Sequence, residues 1–251
     1  MLLDAEKLIL QLKKSGTRMR AESEKRYLKS EAEFFGVPVP VTRRLASPVG
    51  AYFSALGDLS GALTYARKLW TLKVHEPRVA AIAIVGACAS FYDDRVWDLG
   101  GRWLGEIDNW ALCDGIGPHL LAPFVCAHRP RHKSRRREII GWTKNANPWI
   151  RRGALLSTLR NTRVDHQCDL LFEVARRLVQ DQDYFVQKGL GWMLRECAHH
   201  RPREVITFIQ VHREDMRKST ITNAVSRLPK TLQRAAREGA ARPPEAAKSV
   251  Q

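Results

Sequence analysis

The chain has 251 residues, of which 44% are hydrophobic and 27% are charged, and its formal net charge is +16 at pH 7. This hydrophobic content is enough to build a substantial core, which excludes a chain that is disordered throughout. The charge favours a polyanionic partner such as DNA, RNA or an acidic membrane surface.

The hydropathy pattern of the chain argues against a membrane protein. No stretch approaches the roughly 18 to 20 consecutive apolar residues of a membrane span. The first 16 residues mix acidic and basic side chains with apolar ones, unlike a secretory signal peptide. We therefore expect a cytoplasmic protein that does not bind membranes. The Ala- and Arg-rich composition favours a bacterial source, in which a DNA partner would place the protein at the nucleoid.

Apolar spacing along the chain predicts helices from one end to the other. Apolar residues recur at spacings of three and four at 8–12, 56–70 and 170–178, and no alternating strand pattern of useful length appears. Breaks containing proline are predicted at 36–40, 47–48, 129–130, 147–148 and 201–202. We expect one all-α domain over residues 1–237, followed by a disordered tail over 238–251, where apolar periodicity ends.

An internal repeat organises the middle of the chain. Five segments, at 75–88, 109–121, 148–160, 185–197 and 215–228, share a pattern in which one polar residue precedes apolar ones, with Gly or Ser directly after the polar residue in four of them and Val in the first. Their spacing of 30 to 38 residues is typical of an α-solenoid built from HEAT-type helix pairs. We predict a right-handed solenoid of about six pairs, with a concave basic groove. The five polar residues would form a row along that groove: Arg78, Asp114, Arg152, Lys188 and Lys218.

Asp114 is the exception in this row of cations, because a carboxylate would repel a phosphate backbone. Two interpretations stand: an ion pair with Arg152 or Lys188, or a carboxylate directed at a positive charge that arises only in a substrate or transition state. Trp110 precedes Asp114 by four residues, and Trp192 follows Lys188 by four, so each shares a helix face with its partner. Two indoles beside a carboxylate form a site suited to a cation.

Other features of the sequence favour structural explanations. We expect the remaining tryptophans to pack in the core: Trp70, Trp97, Trp103, Trp142 and Trp149. The five cysteines are widely spaced, which predicts buried reduced thiols. His128 and His132 lack a third ligand of suitable spacing, so we expect no metal and no cofactor. The arginine-rich segment 128–140 fits a solvated loop and a phosphate contact equally well.

Five segments in order resemble a known family, the DNA alkylation repair enzymes with HEAT-like repeats, which are alkylpurine DNA glycosylases of AlkD type. The resemblance covers residues 5–232. It rests on the segment 21–45 with its Arg-Tyr-Leu-Lys and Phe-Gly-Val runs, on 69–78, on the Trp-x-x-x-Asp element at 109–114, on 149–152, and on 185–196. Asn109, Ala111 and Pro38 depart from positions where relatives carry an aromatic, an acidic and a polar residue.

The resemblance implies a role for most of the residues already singled out. It places the catalytic carboxylate at Asp114, and the two tryptophans that flank the lesion nucleotide at Trp110 and Trp192. Binding residues for the lesion and the DNA backbone would be Tyr27, Arg152, Lys188, Arg195 and Phe185, with Arg78 and Lys218 from the predicted row.

The same resemblance implies an activity and a partner. The activity would be hydrolytic excision of cationic N3- or N7-alkylated purines, such as 3-methyladenine and 7-methylguanine, from double-stranded DNA without base flipping, in base excision repair. We expect a monomer. The residues alone leave two rivals open: a non-catalytic HEAT scaffold that binds nucleic acid, and an RNA-binding solenoid that stacks on single strands.

Overall fold

A computed structural model of the chain describes residues 4–126, 129 and 131–238, and its regular structure is helical. A single isolated bridge, between Glu33 and Val74, is the one β-type pairing among these residues. The helices are α1 Ala5–Ser15, α2 Arg18–Leu28, α3 Val39–Leu56, α4 Leu59–Trp70, α5 His75–Gly86, α6 Asp94–Gly105, α7 Trp110–Ile116, α8 His132–Trp142, α9 Pro148–Leu156, α10 Leu159–Arg163, α11 Asp169–Leu178, α12 Tyr184–Ala198, α13 Pro202–His212, α14 Lys218–Val225 and α15 Lys230–Glu238.

Local sequence explains where many of these helices begin. Side chains at the N-cap accept a hydrogen bond from the first turn of α1, α2, α4, α6, α7, α9 and α12, and all of them are Asp, Asn or Thr. Proline occupies the first position of α9 and α13, as predicted at these breaks. The break predicted at 47–48 is wrong, because Pro48 lies inside α3, which continues to Leu56.

The helices pack in two rows. In the first row, α3, α5, α7, α9, α12 and α14 each pack against the next. In the second row, α4, α6, α8, α11, α13 and α15 cover them from the other side. The five repeat segments predicted from the sequence therefore fall on consecutive helices of the first row, α5 to α14. This arrangement is all-helical and consistent with an α-solenoid, as predicted.

One continuous hydrophobic core runs between the rows. Trp70 and Trp103 are buried in it and stack at 3.9 Å between ring centroids, while Trp97 stacks on Trp142 at 5.3 Å. Trp149 packs against the core and lies 5.2 Å from the ring of Phe185. The prediction that these five tryptophans are packing residues is confirmed.

The cysteine prediction is wrong for one pair. Cys168 and Cys197 form a disulfide, with their Cα atoms 6.3 Å apart, whereas Cys88, Cys113 and Cys126 are buried free thiols. Cys168 caps α11 and Cys197 lies in the last turn of α12. The two positions become neighbours only because α11 and α12 pack together, which a separation of 29 residues does not reveal.

Two further predictions concern the limits of the chain and its membrane affinity. Of the tail predicted at 238–251, only Glu238 is described, as the last residue of α15, and the rest lies outside the described residues. Among the described helices, none has both the length and the apolar character that crossing a membrane requires.

Candidate active site

Helix α7 carries the two central residues of the site. Its N-cap is Asn109, whose side-chain oxygen accepts a hydrogen bond from the backbone N–H of Leu112 at 3.2 Å. Trp110 and Asp114 follow four residues apart, so both lie on the same face of this short helix. Both side chains are half-buried. Asn109, which departs from the family pattern, therefore fixes the start of the helix that presents these two side chains.

Asp114 forms an ion pair with Arg152 of α9. Both Nε and Nη2 of Arg152 donate to the same carboxylate oxygen, Oδ1, at 2.9 and 2.7 Å. The third guanidinium nitrogen, Nη1, donates to the backbone carbonyl of Phe185 on α12. Arg152 is 4% exposed and is therefore a structural link between three helices of the first row. Of the two ion-pair partners that the sequence left open, the structure selects Arg152.

The second carboxylate oxygen of Asp114 is available to a ligand. Oδ2 accepts no hydrogen bond from the part of the chain that the structure describes, and the side chain keeps 21% of its surface exposed. Burial raises the pKa of Asp114, and the neighbouring Arg152 guanidinium opposes that shift. The result is a fixed, partly desolvated carboxylate with one oxygen directed away from its cationic partner.

Asp114 lies in a cleft of about 380 Å³, which we call the Asp114 cleft. The cleft brings together seven of the ten residues predicted to form the site. Its lining residues come from α2 and its C-cap, and from α7, α9, α12 and α14: Tyr27, Lys29, Trp110, Asp114, Arg152, Tyr184, Phe185, Lys188, Trp192 and Asn223.

Aromatic side chains from α2, α7 and α12 line the Asp114 cleft. The ring of Tyr27 meets Trp110 edge to face, with 5.7 Å between centroids and 83° between planes. Trp192, on α12, donates from Nε1 to Glu196 Oε1 at 2.9 Å, which fixes the orientation of its indole. Burial opposes ionisation of Glu196, but hydrogen bonds from Arg163 and Trp192 lower the pKa of this carboxyl.

The segment that carries Tyr27 is held in place by Asp108, just before α7. Its carboxylate accepts hydrogen bonds from the Ser30 hydroxyl at 2.8 Å and from the Glu31 backbone N–H at 2.7 Å. Burial disfavours the charge, but donors that include Ser30 and Asn109 lower the pKa of Asp108. Asp108 thus joins the end of α2 to the start of α7, which keeps Tyr27 beside Trp110.

A second buried carboxylate, Glu76 on α5, holds the loop that follows α2. Its two oxygens accept backbone N–H bonds from Phe35 at 2.9 Å, Gly36 at 2.6 Å and Val37 at 2.9 Å. Gly36 has φ of +76°, and a Cβ there would lie 2.2 Å from the carbonyl oxygen of Thr17, so only glycine fits this turn.

Cations surround the mouth of the Asp114 cleft. Lys188 Nζ lies 5.0 Å from the ring centroid of Tyr184. Lys29 ends α2 in the left-handed conformation, with φ of 52°. Arg195 does not line the cleft, but its Nη1 donates to Asn223 Oδ1 at 2.7 Å, and Asn223 does line it. The side chain of Arg195 therefore acts at the cleft through Asn223.

Two residues of the predicted row lie elsewhere. Arg78 is 5% exposed, donates to the backbone carbonyls of Trp70 and Glu106, and lies 4.6 Å from the Trp70 ring centroid. The prediction of a groove contact from Arg78 is corrected, because its guanidinium is enclosed by its own repeat. Lys218 is exposed at the start of α14 but lines a separate cavity with Arg213 and Arg237.

The arginine-rich segment is partly structural. Arg135 is buried, pairs with Asp94 at 2.7 Å and Glu138 at 2.9 Å, and lies 4.8 Å from the Trp97 ring centroid. Arg131 pairs with the same Asp94 at 2.5 Å. His128 of the considered histidine pair lies outside the described residues. Among the residues that are described, no group of His, Cys, Asp and Glu could hold a metal ion.

Sequence reasoning missed three residues of the Asp114 cleft: Lys29, Tyr184 and Asn223. Lys29 ends the Arg-Tyr-Leu-Lys run that supports the resemblance but was not assigned to the site, and Tyr184, which directly precedes Phe185, carried no signal of its own. Asn223 lies five residues after Lys218 in the last repeat segment. Only the packing of α12 against α14 brings it beside Trp192.

The chain is similar to known proteins in sequence and in fold. A family model described as DNA alkylation repair enzyme matches residues 8–228. A predicted DNA alkylation repair enzyme from Enterococcus faecalis aligns with a TM-score of 0.73 at 17% identity, over 86% of this chain and 98% of that one, which shows a shared fold. A protein of Streptococcus mutans, smu.31, aligns with a TM-score of 0.48 at 16% identity, over 78% of this chain and 98% of that one. A search among curated proteins gives no match.

Proposed function

The chain belongs to the DNA alkylation repair enzyme family, and we propose that it is a monofunctional DNA glycosylase acting on cationic N3- or N7-alkylated purines in duplex DNA. The observation that carries this proposal is the arrangement of Asp114. Its Oδ2 is open to a ligand in a cleft that Trp110 and Trp192 also line. A protein that only binds phosphates gains nothing from a carboxylate at this position.

The chemistry requires a single carboxylate. Alkylation at N3 or N7 gives the purine a positive charge, so the base leaves as a neutral molecule without protonation by a general acid. The bond between C1′ and the purine nitrogen breaks, its electron pair goes to the base, and the sugar becomes an oxocarbenium ion. Asp114 Oδ2 stabilises this cation electrostatically. It also accepts a proton from the water whose oxygen forms the new bond to C1′.

Arg152 keeps the carboxylate in its reactive form. Because both of its donors bind Oδ1, they fix the orientation of the carboxylate and leave Oδ2 for the sugar. The guanidinium also opposes the effect of burial on the Asp114 pKa. Arg152 therefore acts through Asp114. Because Arg152 is only 4% exposed, its main role is to position the carboxylate and not to bind a phosphate.

The aromatic residues hold the sugar beside the carboxylate. Trp110 and Trp192 pack against the lesion deoxyribose, where the electron-rich faces of their rings stabilise the developing positive charge. Tyr27 completes this wall through its edge-to-face contact with Trp110. The selectivity of such a site comes from charge on the lesion, not from the shape of its base.

Binding of the duplex completes the proposal. About six HEAT-like helix pairs form a right-handed solenoid, whose first row provides a concave groove with Lys29, Lys188 and Arg195 near the lesion. The lesion stays stacked in the duplex while the protein binds the DNA backbone on either side of it. We place this activity in the cytoplasm, in a monomer that uses no cofactor, as the first step of base excision repair.

Substrate charge provides the test. Duplex DNA carrying radiolabelled methyl groups is incubated with the protein, and the released bases are separated by chromatography. We expect release of 3-methyladenine and 7-methylguanine, and little release of uracil from a matched uracil-containing duplex. Release of uracil at a comparable rate, or no release of methylpurines above the spontaneous rate, would refute the proposal. The second result would leave the non-catalytic scaffold as the better explanation.

A further inference from the structure

A second cavity, of about 450 Å³, lies between α3, α5 and α7, and we call it the His75 pocket. Ala111 and Gly115 form its boundary on α7. These residues directly follow Trp110 and Asp114, so the His75 pocket and the Asp114 cleft lie on adjacent sides of the same helix. A ligand that occupied the Asp114 cleft and extended across α7 would lie beside the His75 pocket.

Small side chains give the His75 pocket broad apolar walls. Gly50 and Ala51 contribute from α3, and Ala83 and Gly86 contribute from α5. The volume lies within the range of small-molecule sites, about 300 to 1,000 Å³. Val39, Val79 and Ile82 complete the apolar lining, and the small residues leave room for a flat ring between them.

A buried imidazole lines the same pocket and lacks a partner. His75 is 3% exposed and stacks on Phe34, with 4.6 Å between ring centroids, yet its Nδ1 makes no hydrogen bond with any described residue. Burial lowers the pKa of His75 to about 4, so the ring is neutral at pH 7 and offers one donor and one acceptor. A neutral imidazole in the pocket lining can exchange a hydrogen bond with a nitrogen atom at the edge of a heteroaromatic ring.

The rim of the His75 pocket carries positive charge. Arg43 is exposed and makes no ion pair with any residue that the structure describes. Ser47 stands one helical turn further along α3 and also lines the pocket. A guanidinium beside a hydroxyl suits the phosphate of a nucleotide whose base lies inside.

We propose that the His75 pocket binds an unstacked purine base. The base is held between the glycine and alanine walls, its edge meets His75, and Arg43 takes an adjoining phosphate. This proposal deepens the proposed glycosylase function and rests on it, because that function supplies purines beside α7. The same ring chemistry has two sources, the purine released by excision and an undamaged base next to the lesion that is still attached to the DNA.

Two variants test the His75 pocket without altering the Asp114 cleft. Gly86→Leu fills the pocket, since a Cβ at Gly86 meets only His119, at 3.9 Å. Gly141→Leu is the matched control, because a Cβ at that position in α8 meets nothing within 4 Å and lies outside the pocket. His75→Phe keeps a ring against Phe34 and removes both nitrogens. Thermal melting of each variant confirms that it folds.

Two probes distinguish the sources of the base. Free adenine and free 3-methyladenine are titrated by calorimetry. A short duplex, with 2-aminopurine next to a stable abasic-site analogue, is titrated by fluorescence, which rises when 2-aminopurine unstacks. We expect Gly86→Leu to weaken at least one signal by about tenfold or more and Gly141→Leu to leave both unchanged. Loss of the calorimetric signal assigns the pocket to the released purine, and loss of the fluorescence signal assigns it to a base in DNA.

The result that would refute purine binding in the His75 pocket differs from the result that would refute the glycosylase activity. If neither probe gives a signal, or if Gly86→Leu matches the wild type with both probes, the His75 pocket binds no purine. Should His75→Phe fail to fold, Gly86→Leu alone decides the question. Neither probe requires base release, so the two proposals can fail separately. If the protein excises no base but binds purines, and Gly86→Leu weakens that binding, the glycosylase proposal is refuted and the purine-binding proposal stands.

Discussion

Replacing Asp114 with asparagine removes the negative charge of the side chain and keeps its size. Asparagine has the same size, and its Oδ1 can still accept the two hydrogen bonds from Arg152. The substitution therefore preserves the connection between α7 and α9 while it removes the negative charge from Oδ2. The effect on base release then reports the electrostatic stabilisation of the sugar cation.

The size of the effect follows from Coulomb's law. Two unit charges about 4 Å apart, at an effective dielectric constant of about 20, attract by about 4 kcal/mol. Each 1.36 kcal/mol corresponds to about tenfold in rate, so losing this attraction slows the reaction by about 10³-fold. The dipole of the asparagine side chain retains a part of it, and we expect single-turnover release of 7-methylguanine to fall about 10²- to 10³-fold.

DNA binding is expected to change in the opposite direction. Because the variant removes one negative charge from a basic surface, its affinity for an uncleavable duplex should equal or exceed that of the wild type, as measured by fluorescence anisotropy. Asp98→Asn, at an exposed position of α6, is the matched control and should leave both measurements unchanged. Base release by Asp114→Asn within about threefold of the wild-type rate would refute the catalytic role of the carboxylate.

Three further predictions concern pH, charge and stability. Since burial raises the pKa of Asp114, base release should fall on acidification at a higher pH than an exposed aspartate would give. A raised folded-state pKa also means that ionisation of Asp114 destabilises the folded protein. As pH rises through that pKa, the free energy of unfolding of the wild type should therefore fall relative to that of Asp114→Asn, which denaturant unfolding measures. Lys188→Gln should weaken duplex binding and reduce the slope of log affinity against log salt by about 1, whereas Lys68→Gln on α4 should change neither. Glu76→Gln places an amide N–H₂ against a backbone N–H and should lower the free energy of unfolding by about 2 kcal/mol, or about 4 to 8 °C in melting temperature.

The candidate site shows where sequence reasoning succeeded and where it stopped. The spacing of four between Trp110 and Asp114 placed them on one helix face, and both line the Asp114 cleft. The repeat interval placed Arg152 and Lys188 in the same register on later helices, and both also line the cleft. Arg78 shares that register but points into its own repeat, where Trp70 and two backbone carbonyls enclose it.

Periodicity along the chain determined the helices and their order, since it depends only on which face of each helix is apolar. It also placed Asp114 in a row of cations, with Trp110 one turn away on the same helix and Trp192 one turn from Lys188. The position of a polar residue within the repeat does not determine whether its side chain faces the cleft or is buried between helices. That depends on the hydrogen-bond and ion-pair partners on neighbouring helices. Tertiary structure alone decided that Arg152 binds only one oxygen of Asp114, that Asn223 reaches the cleft, and that Cys168 meets Cys197. Each of these contacts joins helices whose separation in space is set by side-chain packing and not by distance along the chain.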